Sequence, residues 1–302
     1  MKKYFLIFIL ICGGIIFSQV VLAQVSIGVT PLTFELTANP GDVLTNQLKV
    51  YNGSDNTTTI KMEIEDIAPA GEMGEVIPIP ERETYSLAHW VTTQPSEFTL
   101  QPREERYVAF TISVPKNAEP GGHYGTVLAR TTAVAAPGAT GVGIITRTGV
   151  LVLLSVSGQS KEELAVKDFT APKYSQYGPI NFAIRLENKG TVHVKPRAQI
   201  VVTDWLGKKV GEIAIPERNV LPGAIRKFDA SLDKKWLWAG RYTATLTGNY
   251  GSLNLSLPAA VITFWAFPWK IGLVILAVII LIILSRKRWI AAFRVLVKGE
   301  RG

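Results

Sequence analysis

Apolar residues in this chain fall into two patterns. Near both ends they run together: Tyr4 to Phe17, extended by Val21-Leu22-Ala23, and Ile262 to Leu284. Between these runs, from Gln24 to about Pro258, they alternate with polar residues at period two, and Gly, Pro and Asn punctuate the segments. Alternation of that kind predicts half-buried strands, and no long stretch keeps the 3.6-residue period of a helix. Thr59 to Glu65 and Arg106 to Val114 are two such strands. Gly125 to Val134 and Ile144 to Val156 flank Ala136-Pro137-Gly138-Ala139-Thr140-Gly141, which predicts a hairpin loop. After the polar stretch Gly158 to Glu163 the pattern starts again: Ile180 to Leu186, Ala198 to Thr203, Lys209 to Ile215, Arg241 to Thr247 and Leu253 to Leu257. Two blocks of about 135 and about 100 residues suit two β-sandwiches, over 24–158 and 159–260.

The two blocks share a template. Leu100-Gln101-Pro102 precedes a strand and then Gly122-His123-Tyr124; Leu221-Pro222-Gly223 precedes a strand and then Gly240-Arg241-Tyr242. A tyrosine that opens a late strand and bonds back to nearby backbone is the tyrosine corner of immunoglobulin-like sandwiches. Tyr124 and Tyr242 are the candidates. The predicted fold is therefore all-β: two tandem immunoglobulin-like β-sandwiches followed by a single C-terminal transmembrane helix.

The terminal runs set the location. About 23 residues from Ile262 to Leu284, at about 1.5 Å each, span a hydrocarbon core of about 30 Å with some tilt. Trp265, Trp269 and Lys270 mark its outer interface and Arg286, Lys287 and Arg288 its inner one, with residues 285–302 as a basic cytoplasmic tail. Trp289, Ile290, Phe293, Leu296 and Val297, interleaved with that tail's cations, suit an amphipathic helix along the inner leaflet. Lys2-Lys3, the first apolar run and the small residues before Gln24 read as a signal peptide over 1–23, a retained anchor being the alternative. Of the formal +8, Lys2 and Lys3 carry two and the tail from Ser285 a net five, which leaves one for everything between. A near-neutral middle excludes the basic footprint of a nucleic-acid binder. Cations clustered past the second run place the sandwiches outside a single-pass cell membrane, with membrane lipid as a partner.

Catalytic chemistry is hard to assemble from this sequence. His89, His123 and His193 are scattered, and no metal-ligand spacing, nucleophile elbow or phosphate-cradling glycine loop occurs. The sole cysteine, Cys12, lies in the leader, so the exported part relies on apolar burial without disulfides. The expectation is a non-enzyme without cofactor. Glu63, Glu65, Asp66, Glu72, Glu75, Glu81 and Glu83 are the densest acidic region; a solvated strand face and loop is the plain reading and a calcium loop the rival. The candidate binding residues are Tyr85, His89 and Trp90, on a segment after a Pro-rich loop, since loops on a sandwich commonly carry its binding residues. Asn52-Gly53-Ser54, Asn56-Thr57-Thr58 and Asn254-Leu255-Ser256 match glycosylation acceptors but read as turn and strand residues. Trp236 and Trp238 share one face of their segment and are read as packing over the second sandwich. His123 is read as structural, in the turn before Tyr124.

Asn39-Pro40-Gly41-Asp42, Tyr51-Asn52, Leu100-Gln101-Pro102 and Pro120 to Gly125 resemble motifs of exported sandwich domains on bacterial cell surfaces. The layout of leader, two sandwiches, one span and basic tail is similar to that of the WxL-interacting cell-wall proteins. That resemblance implies a first domain that binds peptidoglycan and a second that holds a secreted surface protein, as domain roles with no residue carried over. The leading expectation is thus a membrane-anchored bacterial surface protein, contacting cell-wall glycan or another surface protein. An accessory subunit of a membrane-embedded envelope-assembly or secretion complex is the alternative, and an exported enzyme the third reading.

Overall fold

The computed structural model describes residues 26–79, 85–131, 145–235 and 237–298. The signal peptide over 1–23, the hairpin loop at 136–141, Glu81, Glu83 and Trp236 lie outside the described residues. The chain divides into two compact units, one of Met1–Ile67, Pro78–Glu119 and His123–Ser157, the other of Ala68–Ile77, Pro120–Gly122 and Gly158–Gly302.

The first sandwich has one sheet in the order β1 (Ile27–Thr30), β3 (Val43–Asn52), β8 (Glu105–Ser113), β6 (Val91–Gln94). The other runs β2 (Thr33–Ala38), β10 (Arg147–Val156), β9 (Gly121–Thr131), β4 (Thr58–Ala70), β5 (Glu75–Ile79), with β7 (Glu97–Leu100) also on β4. In the second sandwich the sheets are β11 (Leu164–Thr170), β13 (Ile180–Asn188), β16 (Ile225–Leu232), and β12 (Tyr174–Ser175), β19 (Ala260–Ala266), β17 (Gly240–Tyr250), β14 (Arg197–Thr203), β15 (Lys209–Ala214), with β18 (Leu255–Ser256) on β17. The shared strands keep one order, β1-β3-β8 as β11-β13-β16 and β2-β10-β9-β4-β5 as β12-β19-β17-β14-β15, down to the parallel pairing of β2 with β10 and of β12 with β19. Among the described residues β6 has no counterpart, and β7 pairs with β4 whereas β18 pairs with β17. The all-β expectation holds, and each sandwich closes around one core drawn from both its sheets.

Side-chain parity explains those cores. Along β13, Ile180, Phe182, Ile184 and Leu186 point inward and the residues between them outward. Burying such side chains is worth about 1.5–3 kcal/mol each. The same parity carries a polar residue inward at the strand end: Asn188 follows Leu186, as Asn52 follows Leu48 and Val50, and both are fully buried. Buried amides must be bonded, and these are. Asn52 Nδ2 donates to the carbonyls of Asn56 (2.8 Å) and Gln101 (3.0 Å), and its Oδ1 accepts from Ser54 N (3.0 Å) and Oγ (2.7 Å). Asn188 Nδ2 donates to the carbonyls of Val192 and Val220, both at 2.8 Å, and its Oδ1 accepts from Gly190 N at 2.8 Å.

Backbone bonds fix the register of the repeat. Asn52 N donates to Glu104 O and Glu104 N to Gln101 O; Asn188 N donates to Ala224 O and Ala224 N to Leu221 O. Gln101-Pro102-Arg103 therefore matches Leu221-Pro222-Gly223, one residue off the alignment that the leucines suggest. What the two turns share is a left-handed third residue, Arg103 at φ 64° and Gly223 at φ 71°.

The second sandwich does not end near Leu257. Residues 262–266, counted above in the apolar span, belong to β19, where Gly240 pairs with Ala266 and Tyr242 with Phe264. Phe264 and Ala266 are buried while Val261 and Trp265 are exposed, so a period-two strand hides within a continuous apolar run. Pro268 stops the strand, since it has no N–H to give the ladder and suits a helix start. The helix α1 then runs Trp269–Lys298 without a break, so 285–298 continues it. Among the described residues it is the one helix long and apolar enough to cross a membrane.

Candidate functional site

The three candidate residues sit on a segment that the first sandwich holds rigidly. Along β4, Ile60, Met62, Ile64 and then Asp66 point inward, and Asp66 is 1 % exposed. Its carboxyl accepts from Ser86 Oγ (2.7 Å), Leu87 N (2.8 Å) and Ala88 N (2.9 Å). Three donors on one carboxyl pin the loop just before a one-turn 3₁₀ helix, Ala88–Trp90. Asp66 is thus a loop anchor, outside any solvated acidic face.

Buried His123 completes the loop's support. Its Nδ1 faces Ser86 O at 3.2 Å and its Nε2 faces Glu119 O at 2.9 Å. Its ring lies 4.2 Å from the Trp90 ring and 5.5 Å from the Tyr85 ring. Tyr85 is exposed at a left-handed φ of 58°, and its N–H donates to the Glu119 carboxylate at 3.1 Å. The structure therefore brings Tyr85 and Trp90 together across His123, with Trp90 half-buried and Tyr85 outward. His89 lies on the same turn with its side chain exposed. A neighbouring cavity of about 380 Å³ is lined by Ile64, Glu65, Asp66, Pro78, Ile79, Ala88 and Arg147.

Chemically this is a fixed aromatic ledge beside a polar recess. Glu63 pairs with Arg130 (3.0 Å) and Arg147 (3.3 Å), and Glu65 pairs with Arg147. Both carboxylates are thus held by arginines. Among the described residues no group of three His, Cys, Asp or Glu is placed to hold a metal ion.

Of the proposed tyrosine corners, Tyr242 is buried and its hydroxyl donates to the carbonyl of Trp238, four residues upstream, at 2.9 Å. Its ring stacks on Phe264 at 5.4 Å. Burial, and then the negative charge of Asp204, push its phenol above the ordinary tyrosine range. Tyr124 is buried in β9. Trp238 does not pack over the second sandwich: its side chain is 89 % exposed, and Leu237 occupies the core position instead. Trp265, expected in the membrane interface as part of the span, is a strand residue on the outer face of β19, opposite Arg241. Trp269 and Lys270 are the first two residues of α1, the Lys270 ammonium 5.9 Å from the Trp269 ring, and α1 carries Arg286, Lys287 and Arg288 along its length.

Sequence reasoning missed Asp66, Asn52 and Asn188 as organising residues. The signal was present: each has the parity of the apolar residues before it.

No family model matches the chain, and neither does any curated protein. Solved structures do. The class 5 fimbriae chaperone CfaA aligns over 79 % of this chain and 99 % of its own at 12 % identity, TM-score 0.40. The E. coli chaperone DraB aligns over 80 % and 98 % at 12 % identity, TM-score 0.37. A Salmonella enterica complex of the SafA pilin with the SafB chaperone aligns over 79 % and 96 % at 9 % identity, TM-score 0.37.

Proposed function

We propose that this protein is a membrane-anchored, non-catalytic bacterial cell-surface protein whose first sandwich binds cell-wall glycan through the Tyr85–Trp90 ledge. In this reading α1 spans the bilayer, the sandwiches stand outside and the basic end of the helix lies in the cytoplasm. The observation that carries the reading is the build of the loop: Tyr85, exposed at a left-handed backbone position, has its ring 5.5 Å from that of a buried histidine, and the three residues after it are pinned by hydrogen bonds to the buried Asp66 carboxyl. Fixed aromatics lose little entropy on binding, and a flat ring suits the C–H face of a sugar. The cavity beside it offers Glu65 and Arg147 to polar substituents of a glycan or its peptide. A secreted surface protein is the other ligand that a rigid aromatic site of this kind suits.

The test uses the full chain in detergent, incubated with isolated peptidoglycan sacculi. Retention is expected, and Tyr85→Ala should weaken it about tenfold, or about 1.4 kcal/mol, with the fold unchanged by circular dichroism. No retention of the intact protein overturns the glycan reading; retention that Tyr85→Ala and Trp90→Ala leave unchanged moves the site elsewhere.

A further inference from the structure

We propose that the end of the second sandwich from which α1 leaves is itself a lipid-binding surface, seated in the outer headgroup layer of the membrane. The proposal rests on the reading of α1 as a membrane span.

Three chain segments meet at that end. The pairings Thr203 with Thr243 and Ala266 with Gly240 place the ends of β14 and β19 beside the start of β17. The β14–β15 turn is shaped by Asp204, whose Oδ1 accepts from Leu206 N (3.0 Å) and Lys208 N (2.9 Å), and it throws Trp205 and Leu206 outward, 67 % and 70 % exposed. Trp205 lies over Gly240, close enough that a Cβ there would stand 2.9 Å from its Cδ1. On the second segment, the hydrogen bond from Tyr242 to the Trp238 carbonyl fixes the backbone and leaves the indole in solvent. A cavity of about 500 Å³ is lined by both Trp205 and Trp238. The third segment carries Trp265 on the outer face of β19 and Phe267 just beyond it, both more than half exposed.

An apolar patch of this kind on a water-facing domain calls for a partner, and its composition names one. Indole rings prefer the boundary between headgroups and acyl chains. Around them stand Lys208, Lys209, Lys234, Lys235, Arg241 and Lys270, against Asp204 and Asp233. Lys209 also reaches Glu212 on its own strand. Cations that flank aromatics match anionic lipid phosphates.

Continuity with the helix makes lipid the occupant. Only Phe267 and Pro268 separate β19 from α1, and this connector is tied down: Tyr174 Oη donates to Phe267 O at 2.6 Å and Phe267 N to Ser175 O at 3.0 Å. A bilayer that receives α1 at Trp269 lies within one strand end of Trp205 and Trp238.

The experiment places a nitroxide at single cysteines in the full chain with Cys12→Ser, reconstituted into phosphatidylglycerol and phosphatidylcholine vesicles. Labels are introduced by Leu206→Cys, Trp238→Cys, Leu276→Cys in the middle of α1, and Leu253→Cys, an equally exposed residue in the turn at the far end of β17. Collision with a water-soluble nickel chelate should fall at least about threefold at 206 and 238 relative to 253, while 276 shows the high oxygen and low nickel accessibility of the acyl region. Positions 206 and 238 as open to nickel as 253, with 276 deep, overturn the docking surface and leave the span intact. Nickel access at 276 defeats the span and the proposal with it. Should Leu206→Cys disturb its turn, Lys208→Cys reports on the same turn with the same expected protection.

Discussion

The two sandwiches are built on one frame and differ in what they hang on it. In each, a buried asparagine at the end of a central strand bonds the same turn and the same backbone partners, and in each a Gly-x-Tyr opens the strand that follows. From that asparagine to the turn carbonyl it binds, the chain takes 48 residues in the first sandwich and 32 in the second. The surplus in the first holds the Asp66-anchored loop with Tyr85 and Trp90. The residue between Gly and Tyr differs accordingly: His123 is buried beneath that loop, and Arg241, its counterpart, is exposed beside Trp265. Frame residues are fixed by parity and burial, and the differences between the sandwiches sit in loops and on outer faces, where packing leaves the sequence free.

The largest expected effect separates the two sandwiches outright. A fragment of residues 24–258 lacks β19, and with it Phe264, Ala266 and the pairing along β17, so its second sandwich should not fold. A fragment of residues 24–267 keeps the strand. Calorimetry should show a single transition for the shorter fragment and that of the second sandwich restored in the longer one; a cooperative second transition in the shorter fragment would mean that β19 is dispensable.

Next come the asparagines, which test whether the frame is truly shared. Asn52→Ala and Asn188→Ala each strand several buried carbonyl and N–H groups, at about 2–4 kcal/mol in all. Each loss should fall on its own sandwich only, with Asn52 the costlier because it serves more partners. Asp66→Ala should cost about 2–3 kcal/mol in the first sandwich, and it has a signature that the asparagines lack: proteolysis within 85–90 at native temperature. A loop that stays protected in Asp66→Ala would show that His123 and Glu119 suffice to hold it.

Much of this was legible in the alternation of residues. Period two gave the strands, two sandwiches and the repeated Gly-x-Tyr. It also carried Asp66, Asn52 and Asn188 onto the buried face, but by type these residues read as acidic surface or turn, and residue type overrode parity. Trp265 was assigned to the helical span for the opposite reason. Inside Val261 to Ala266 every residue is apolar or β-branched, so strand and membrane helix look alike, and only Pro268 marks the change. Trp238 was misplaced because alternation with Trp236 suggested a packed face, whereas the buried residue of that segment is Leu237. The Tyr85, His89 and Trp90 segment was legible as a loop; that the Tyr85 and Trp90 rings converge on His123 depends on pairing between distant strands, which no local pattern carries.

Tyr242 sharpens the comparison at alkaline pH. Its phenol is held above the ordinary value of about 10, so the folded state keeps the proton more tightly than the unfolded one. That contribution is complete below about pH 10 and is lost as pH rises through the folded value. The second sandwich should lose stability above about pH 10 with a slope that Tyr242→Phe reduces, while at neutral pH the variant costs about 1 kcal/mol for the missing bond to Trp238. Equal slopes in the two proteins would show that the hydroxyl titrates as freely folded as unfolded.

The smallest effect reads the matched turns directly. Gly223 and Arg103 hold the same left-handed position, and a Cβ on Gly223 meets nothing within 4 Å, so Gly223→Ala adds backbone strain alone. That strain is about 1 kcal/mol or slightly more, a drop of roughly 4–8 °C in the melting temperature of a domain this size. Arg103→Gly is the reverse substitution. It relieves the strain, but it frees the unfolded chain and gives up the exposed pair with Asp55 at 2.8 Å, and these terms oppose one another. The first sandwich should melt where it did before. A pronounced loss on Arg103→Gly would mean that its side chain holds the turn that Gly223 holds by backbone freedom, and the two frames would then be alike in shape but different in cause.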